Sequence, residues 1–174
     1  MIEASSALGA IGLESDWYKL VLALHLLTAI LGFGATAFSG VYYTFARKRG
    51  GTEGVAIMRA NAMVGGIAGG FLYATFGFGL LLVVMSDDVW RFGATWIWLS
   101  ITLWAIIVIT GVTMIRPTAD RALTLMEEIA VADRPDPEKN AALDRYSRAL
   151  ALHGTSHGIM LLAIIALMVW RPGQ

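Results

Sequence analysis

Four stretches of this chain stay apolar for long enough to cross a bilayer, and that limits the fold more than any motif does. They run from about Trp17 to Phe45, Ala56 to Met85, Phe92 to Ile115 and Ala149 to Trp170. A hydrocarbon core about 30 Å thick takes about 20 helical residues to cross. Pro117, Pro135, Pro137 and Pro172 all fall outside these stretches, which leaves the helices unbroken. Only 15% of the 174 residues are charged, where a soluble domain carries about a quarter. The chain is expected to be all-α: an integral membrane four-helix up-down bundle in a lipid bilayer, one domain over residues 1–174.

Charge sets the expected orientation. Arg47, Lys48, Arg49 and Arg59 flank the first linker, and Arg116, Arg121, Arg134, Lys139, Arg145 and Arg148 lie in or beside the last. Only Lys19, Arg91 and Arg171 fall on the other side. The excess of basic residues in cytoplasmic loops then puts both linkers inside and both termini outside. Trp17, Trp90, Trp96, Trp98 and Trp170 map to the outer interface as an aromatic belt, with Trp104 deeper. The first 19 residues lack a basic segment ahead of an apolar one, so no cleavable signal peptide is expected.

The cytoplasmic linker, 116–148, contains "RPTADRALTLMEEIAVAD", with apolar Leu123, Met126 and Ala130 at helical spacing. This predicts a short amphipathic helix on the membrane face. "RPDPEKN" breaks it, and "AALDRYSRAL" leads into the fourth span as one helix. Arg59 is expected to snorkel to the interface, and Asn61 to bond a neighbouring helix.

Within lipid, helices associate through close approach at small residues. "GGIAGG" in the second span pairs Gly65 with Gly69 and Gly66 with Gly70, so that helix is expected to be the central packing element. Gly154 and Gly158 each follow a histidine in the fourth span.

The three histidines, His25, His153 and His157, all lie inside predicted spans, where ionisable groups are rare and mark sites by default. His153 and His157 share one helix face. At 1.5 Å per residue, His25 lies about 12 Å from the outer boundary and His157 about 12 Å from the inner, a height difference of about 6 Å. Three readings are open. One is a b-type haem with His25 and His157 as axial ligands and Gly154 or Gly158 making room for the ring. Another is a small metal site of His25, His153 and His157. In the third, each histidine bonds a neighbouring helix, with Thr28, Asn61, Tyr73, Thr155 and Ser156 as candidate partners. The methionines are scattered, without the paired spacing of a soft-metal path.

Other chemistries find no support. There is no cysteine for a disulfide or thiolate site, and no net charge to attract nucleic acid. No phosphate loop, nucleophile elbow or zinc-protease motif appears. No span buries an Asp or Glu, which argues against a proton-coupled transporter. No catalytic residue is assigned.

The first span, "YKLVLALHLLTAILGFGATAF", resembles the opening helix of a loose group of small bacterial membrane proteins. That helix has a basic residue, an "LH" pair and a glycine a turn or two later. The group includes a predicted integral membrane family of unknown function, the copper-resistance D proteins and the four-helix J-type protoporphyrinogen oxidases. The ending "LMVWRPGQ" is similar to the unknown-function family. The resemblance implies a bundle in the bacterial inner membrane and marks His25 as candidate ligand. The J-type oxidases pair that histidine with a lysine in a later helix. No lysine follows Lys19 in these spans, and His157 stands in its place on depth alone.

Two functions remain in view. One is a redox or haem-handling membrane protein holding a single b haem. The other is a non-catalytic accessory or assembly subunit, either as a homo-oligomer or within a larger membrane complex, with its histidines used for packing.

Overall fold

The computed structural model describes residues 12–132 and 134–173, so most of the N-terminal stretch read for a signal peptide lies outside the described residues. Five helices follow in order: α1 (Asp16–Arg49), α2 (Gly51–Val84), α3 (Thr95–Thr110), α4 (Arg116–Ala130) and α5 (Pro137–Trp170). A five-residue π-helical turn, Gly111–Ile115, joins α3 to α4. Among the described residues, four helical stretches are long and apolar enough to cross a membrane: α1, α2, Thr95–Ala130 taken together, and α5. The expected four-helix membrane bundle is the fold.

Local chemistry sets the ends. The Ser15 hydroxyl accepts from the amide of Tyr18 and caps α1. Arg47, Lys48 and Arg49 in its last turn suit the negative end of the helix dipole. The chain then reverses through Gly50 and Gly51, with φ of 64° and 50°, a conformation that side chains with a Cβ resist. Asp136 caps α5 by accepting from the amides of Glu138 and Lys139, with Pro137 in the first turn. As expected, "AALDRYSRAL" runs into the fourth span without a break.

The third span ends differently from the expectation. The amphipathic segment is the short helix expected, α4, and it continues α3 through the π turn instead of standing as a separate element. Pro117 has no N–H to give and its ring crowds the preceding turn. The wider π turn just ahead of it passes that defect without ending the helix. A helix extended this way already stands beside α2 and α5. Ala122 and Met126 of α4 therefore bury against Ala46, Val55, Met58 and Leu143 at the basic end of the bundle.

The membrane part consists of two helix pairs. α1 and α2 pack along their whole length. Buried Tyr18, Val21, His25, Thr28 and Gly32 recur on α1 at alternating steps of three and four, and Asn61, Ala68, Thr75 and Leu82 recur every seventh residue on α2. This is the spacing of a coiled-coil seam. α3 and α5 form the second pair, closed by Ile107, Leu161 and Ile164 with Phe33 of α1 beside them. α4 ties the pairs together at the basic end.

α2 packs against both α1 and α4, as its expected central place requires, but not through the glycines expected to do it. A Cβ added at Gly65, Gly66, Gly69 or Gly70 would meet nothing within 4 Å. The seam runs through Asn61, Ala68 and Thr75, and the "GGIAGG" glycines fall off it. Close approach is instead made by Gly32 against Leu72, Gly54 against Ala46, and Gly79 against His25.

Candidate functional site

His25 is buried in the α1–α2 seam, where its Nδ1 lies 2.8 Å from the carbonyl oxygen of Thr75. A carbonyl can only accept, so Nδ1 carries the proton and Nε2 keeps its lone pair. Thr75 and Thr28 complete the layer. The Thr75 hydroxyl lies 3.0 Å from the Thr28 hydroxyl and 2.8 Å from the carbonyl of Phe71, while Thr28 donates to the carbonyl of Leu24 at 2.8 Å. Gly79 gives the imidazole its room, since a Cβ there would stand 3.1 Å from His25 Cε1.

His157 belongs to the other helix pair. Its Nε2 lies 2.8 Å from the Thr110 hydroxyl of α3, which itself donates to the carbonyl of Ile106 at 2.6 Å. The Thr110 hydroxyl has one proton and reaches both that carbonyl and the ring, so the direction of the His157 bond follows the tautomer. His153, one turn nearer the basic end, is half-buried and makes no hydrogen bond among the described residues.

The two buried histidines do not meet. Tyr43 of α1 bonds Ser147 of α5 at 2.7 Å and sets the register of those helices. From that bond His25 lies eighteen residues up α1 and His157 ten residues up α5. The difference of eight residues puts the rings about 12 Å apart in height, twice the offset expected from the sequence. Imidazole binds metals at about 2 Å, so with the helices in these positions the pair does not fit one haem. Gly154 and Gly158 do not supply space for a ring beside His157 either, because both face open surroundings. Among the described residues no three His, Cys, Asp or Glu side chains form a metal-holding group, so His25, His153 and His157 stand apart as a ligand set.

Of the partners expected from sequence, Thr28 does sit in the His25 layer. Thr155 and Ser156 bond their own backbone, at Ala151 and Leu152. Tyr73 packs edge-on against Trp104. Asn61 bonds a neighbouring helix as expected: Ser39 donates to its Oδ1 at 3.0 Å, and its Nδ2 donates to the Ser39 carbonyl at 3.2 Å. Arg59 does not snorkel free but donates to Glu127 of α4 at 2.9 Å, because the continued helix brings that carboxylate alongside. Arg47 pairs with Asp144, and Lys139 with Glu128 at 2.7 Å. At the opposite end Trp90 Nε1 donates to the Tyr18 hydroxyl at 3.1 Å, and Arg171 lies 4.2 Å over the Trp90 ring.

Sequence reasoning missed Thr75 and Gly79 as partners of His25. The seven-residue step from Asn61 through Ala68 to Thr75 was the signal for the first, since it places Thr75 on the face turned to α1.

Residues 19–172 match the family described as "Predicted integral membrane protein (DUF2269)". The chain belongs to that family. No curated protein and no solved structure matches it. In this member of the family, His25, Asn61 and His157 each bond a residue of a neighbouring helix.

Proposed function

We propose that this integral membrane protein is a non-catalytic subunit of a larger assembly in the bacterial inner membrane, and that its histidines serve packing. The observation that carries this reading is the pair of bare glycine faces. Gly66 and Gly70 of α2, and Gly154 and Gly158 of α5, are exposed with nothing within 4 Å of an added Cβ. The Ser39–Asn61 and Tyr43–Ser147 bonds place the two faces at the same depth. Helices in lipid use such faces to approach other helices, and neither is used within the chain. The internal bonds of His25 and His157 agree with this, since both rings are spent on holding helix pairs.

The test replaces Gly66 and Gly70 together by Leu. Monomer stability is expected to stay within about 0.5 kcal/mol, as for surface changes away from contacts. On a native gel of gently solubilised membranes the wild type is expected in a band larger than the monomer, and the variant alone. A wild type that migrates as a monomer sinks the reading.

One observation favours a second reading, in which His25 alone ligates a cofactor such as b haem. A ligating histidine characteristically donates its other ring N–H to a carbonyl, which fixes the tautomer. The His25–Thr75 bond is of that kind, and the resemblance of the first helix to the J-type oxidases marks the same residue. A Soret band in the purified protein, lost in His25→Ala and kept in His157→Ala, would support it. A colourless, metal-free protein would remove it.

A further inference from the structure

The loop "SDDVWRF" after α2 borders an open groove of about 490 Å³ at the tryptophan-rich end of the bundle. Val83 and Val84, the last two residues of α2, line it with Asp88, Trp90, Arg91 and Phe92 of the loop. The loop is held from within. The buried Ser86 hydroxyl donates to the Val83 carbonyl at 2.8 Å and accepts from the amide of Trp90 at 2.9 Å. The Trp90 indole donates to the Tyr18 hydroxyl of α1 at 3.1 Å. Asp87 and Asp88 turn the chain with φ of 52° and 62°, a conformation that Asp tolerates better than most side chains. The walls are thus set before anything binds.

Two charges of opposite sign line this one groove, three residues apart in the chain, and do not meet. Asp88 and Arg91 form no ion pair with each other, and neither pairs with another charged group among the described residues. Both are exposed, and exposed Val84 and Phe92 stand beside them. Tryptophans mark this level as the boundary of the bilayer. A partner that answers the whole groove brings a cation for Asp88, an anion for Arg91 and an apolar part for Val84 and Phe92. A divalent metal ion fails, since one carboxylate falls far short of a shell of about six to eight oxygens and Arg91 repels it. An anionic lipid answers Arg91 and sets Asp88 against like charge. A soluble zwitterion leaves the apolar wall bare.

We propose that the groove binds the head group of a zwitterionic phospholipid with a primary ammonium, of the phosphatidylethanolamine type. The phosphate accepts from the Arg91 guanidinium, whose fork can hold two oxygens at once. The ammonium donates to the Asp88 carboxylate, and the acyl chains run along Val84 and Phe92. A quaternary ammonium suits the groove less. It has no N–H to donate, and one face of the Trp90 ring is already covered by Arg171, 4.2 Å from the ring centre. The inference does not rest on the subunit reading, and no histidine enters it.

The test is native mass spectrometry of the full chain in mild detergent, titrated in turn with phosphatidylethanolamine, phosphatidylcholine and phosphatidylglycerol of the same acyl chains. Phosphatidylethanolamine is expected to bind roughly two- to fivefold more tightly than the other two, the worth of one exposed ion pair. Asp88→Asn keeps the turn, since Asn also tolerates the left-handed region, and is expected to bring phosphatidylethanolamine down to the level of phosphatidylglycerol. Arg91→Gln is expected to weaken all three lipids alike, because all carry the phosphate. Soluble phosphoethanolamine at the same concentration is expected to displace nothing. The proposal is overturned if the wild type holds the three lipids equally, a comparison that needs no variant. It is equally overturned if Asp88→Asn keeps the wild-type preference, if Arg91→Gln leaves all three affinities unchanged, or if soluble phosphoethanolamine competes as well as the lipid.

Discussion

Gly79→Ala tests the His25 layer at its tightest point. The new methyl would sit 3.1 Å from His25 Cε1 and 3.5 Å from Nδ1. Carbon atoms pack best at about 3.5–4.0 Å, so the ring must retreat by roughly half an ångström. It is held by the 2.8 Å bond to Thr75, and retreat stretches that bond. Overpacking of a well-filled site costs about 1–3 kcal/mol. Against this, Ala is favoured over Gly inside a helix by about 1 kcal/mol. The net expectation is a loss of about 0–2 kcal/mol in the wild-type background. In a His25→Ala background the clash is gone, and the same change is expected to stabilise by up to about 1 kcal/mol. The cycle should therefore show a coupling of about 1–3 kcal/mol between the two positions, which share a contact. The assay is reversible unfolding of the purified protein in mixed detergent micelles, with all four variants run side by side. An equal effect of Gly79→Ala in both backgrounds, within about 0.5 kcal/mol, would refute the account of Gly79 as the space that admits the histidine.

Three further outcomes are expected. Gly54→Ala would bring a Cβ to 2.4 Å from the carbonyl oxygen of Ala46; backbone cannot step aside there, so a loss exceeding about 3 kcal/mol or failure to fold is expected in the same unfolding assay. Asn61→Ala removes both bonds to Ser39 and should cost about 0.6–1.7 kcal/mol, the range for hydrogen bonds between membrane helices; no loss in the assay would show that the pair is idle. Asp87 and Asp88 both hold positive φ, 52° and 62°, in the turn after α2, so Asp87→Gly is expected to raise Tm by relieving left-handed strain, and a lowered Tm would show that the carboxylate has a partner.

The sequence and the structure agree where long-range geometry is not needed. Segment length and hydropathy implied the four helices, and Asp136–Pro137 and Gly50–Gly51 mark their ends through local chemistry. Asn61 was a correct reading for the same reason: a buried amide in lipid must find a partner, whichever helix supplies it. The errors share one cause. "GGIAGG" looked like a packing face because small residues permit close approach, but permission does not say which neighbour takes it. The α1–α2 seam, in phase with Asn61, Ala68 and Thr75, passes those glycines by. The third span was expected to end near Ile115, and the π turn there turned an end into a continuation.

The histidines show the division most clearly. The sequence by itself determined that three rings lie within apolar spans, and how far each stands from the end of its own helix. It also determined the i, i+4 relation of His153 and His157, because that depends on one helix alone. Only the tertiary structure decided that His25 bonds Thr75 and His157 bonds Thr110, in separate helix pairs about 12 Å apart in height. Height between helices depends on their register, which is set by distant contacts such as Tyr43–Ser147 and Ser39–Asn61. Those contacts join residues from 22 to 104 positions apart in the chain, and periodicity within one segment carries no information about them.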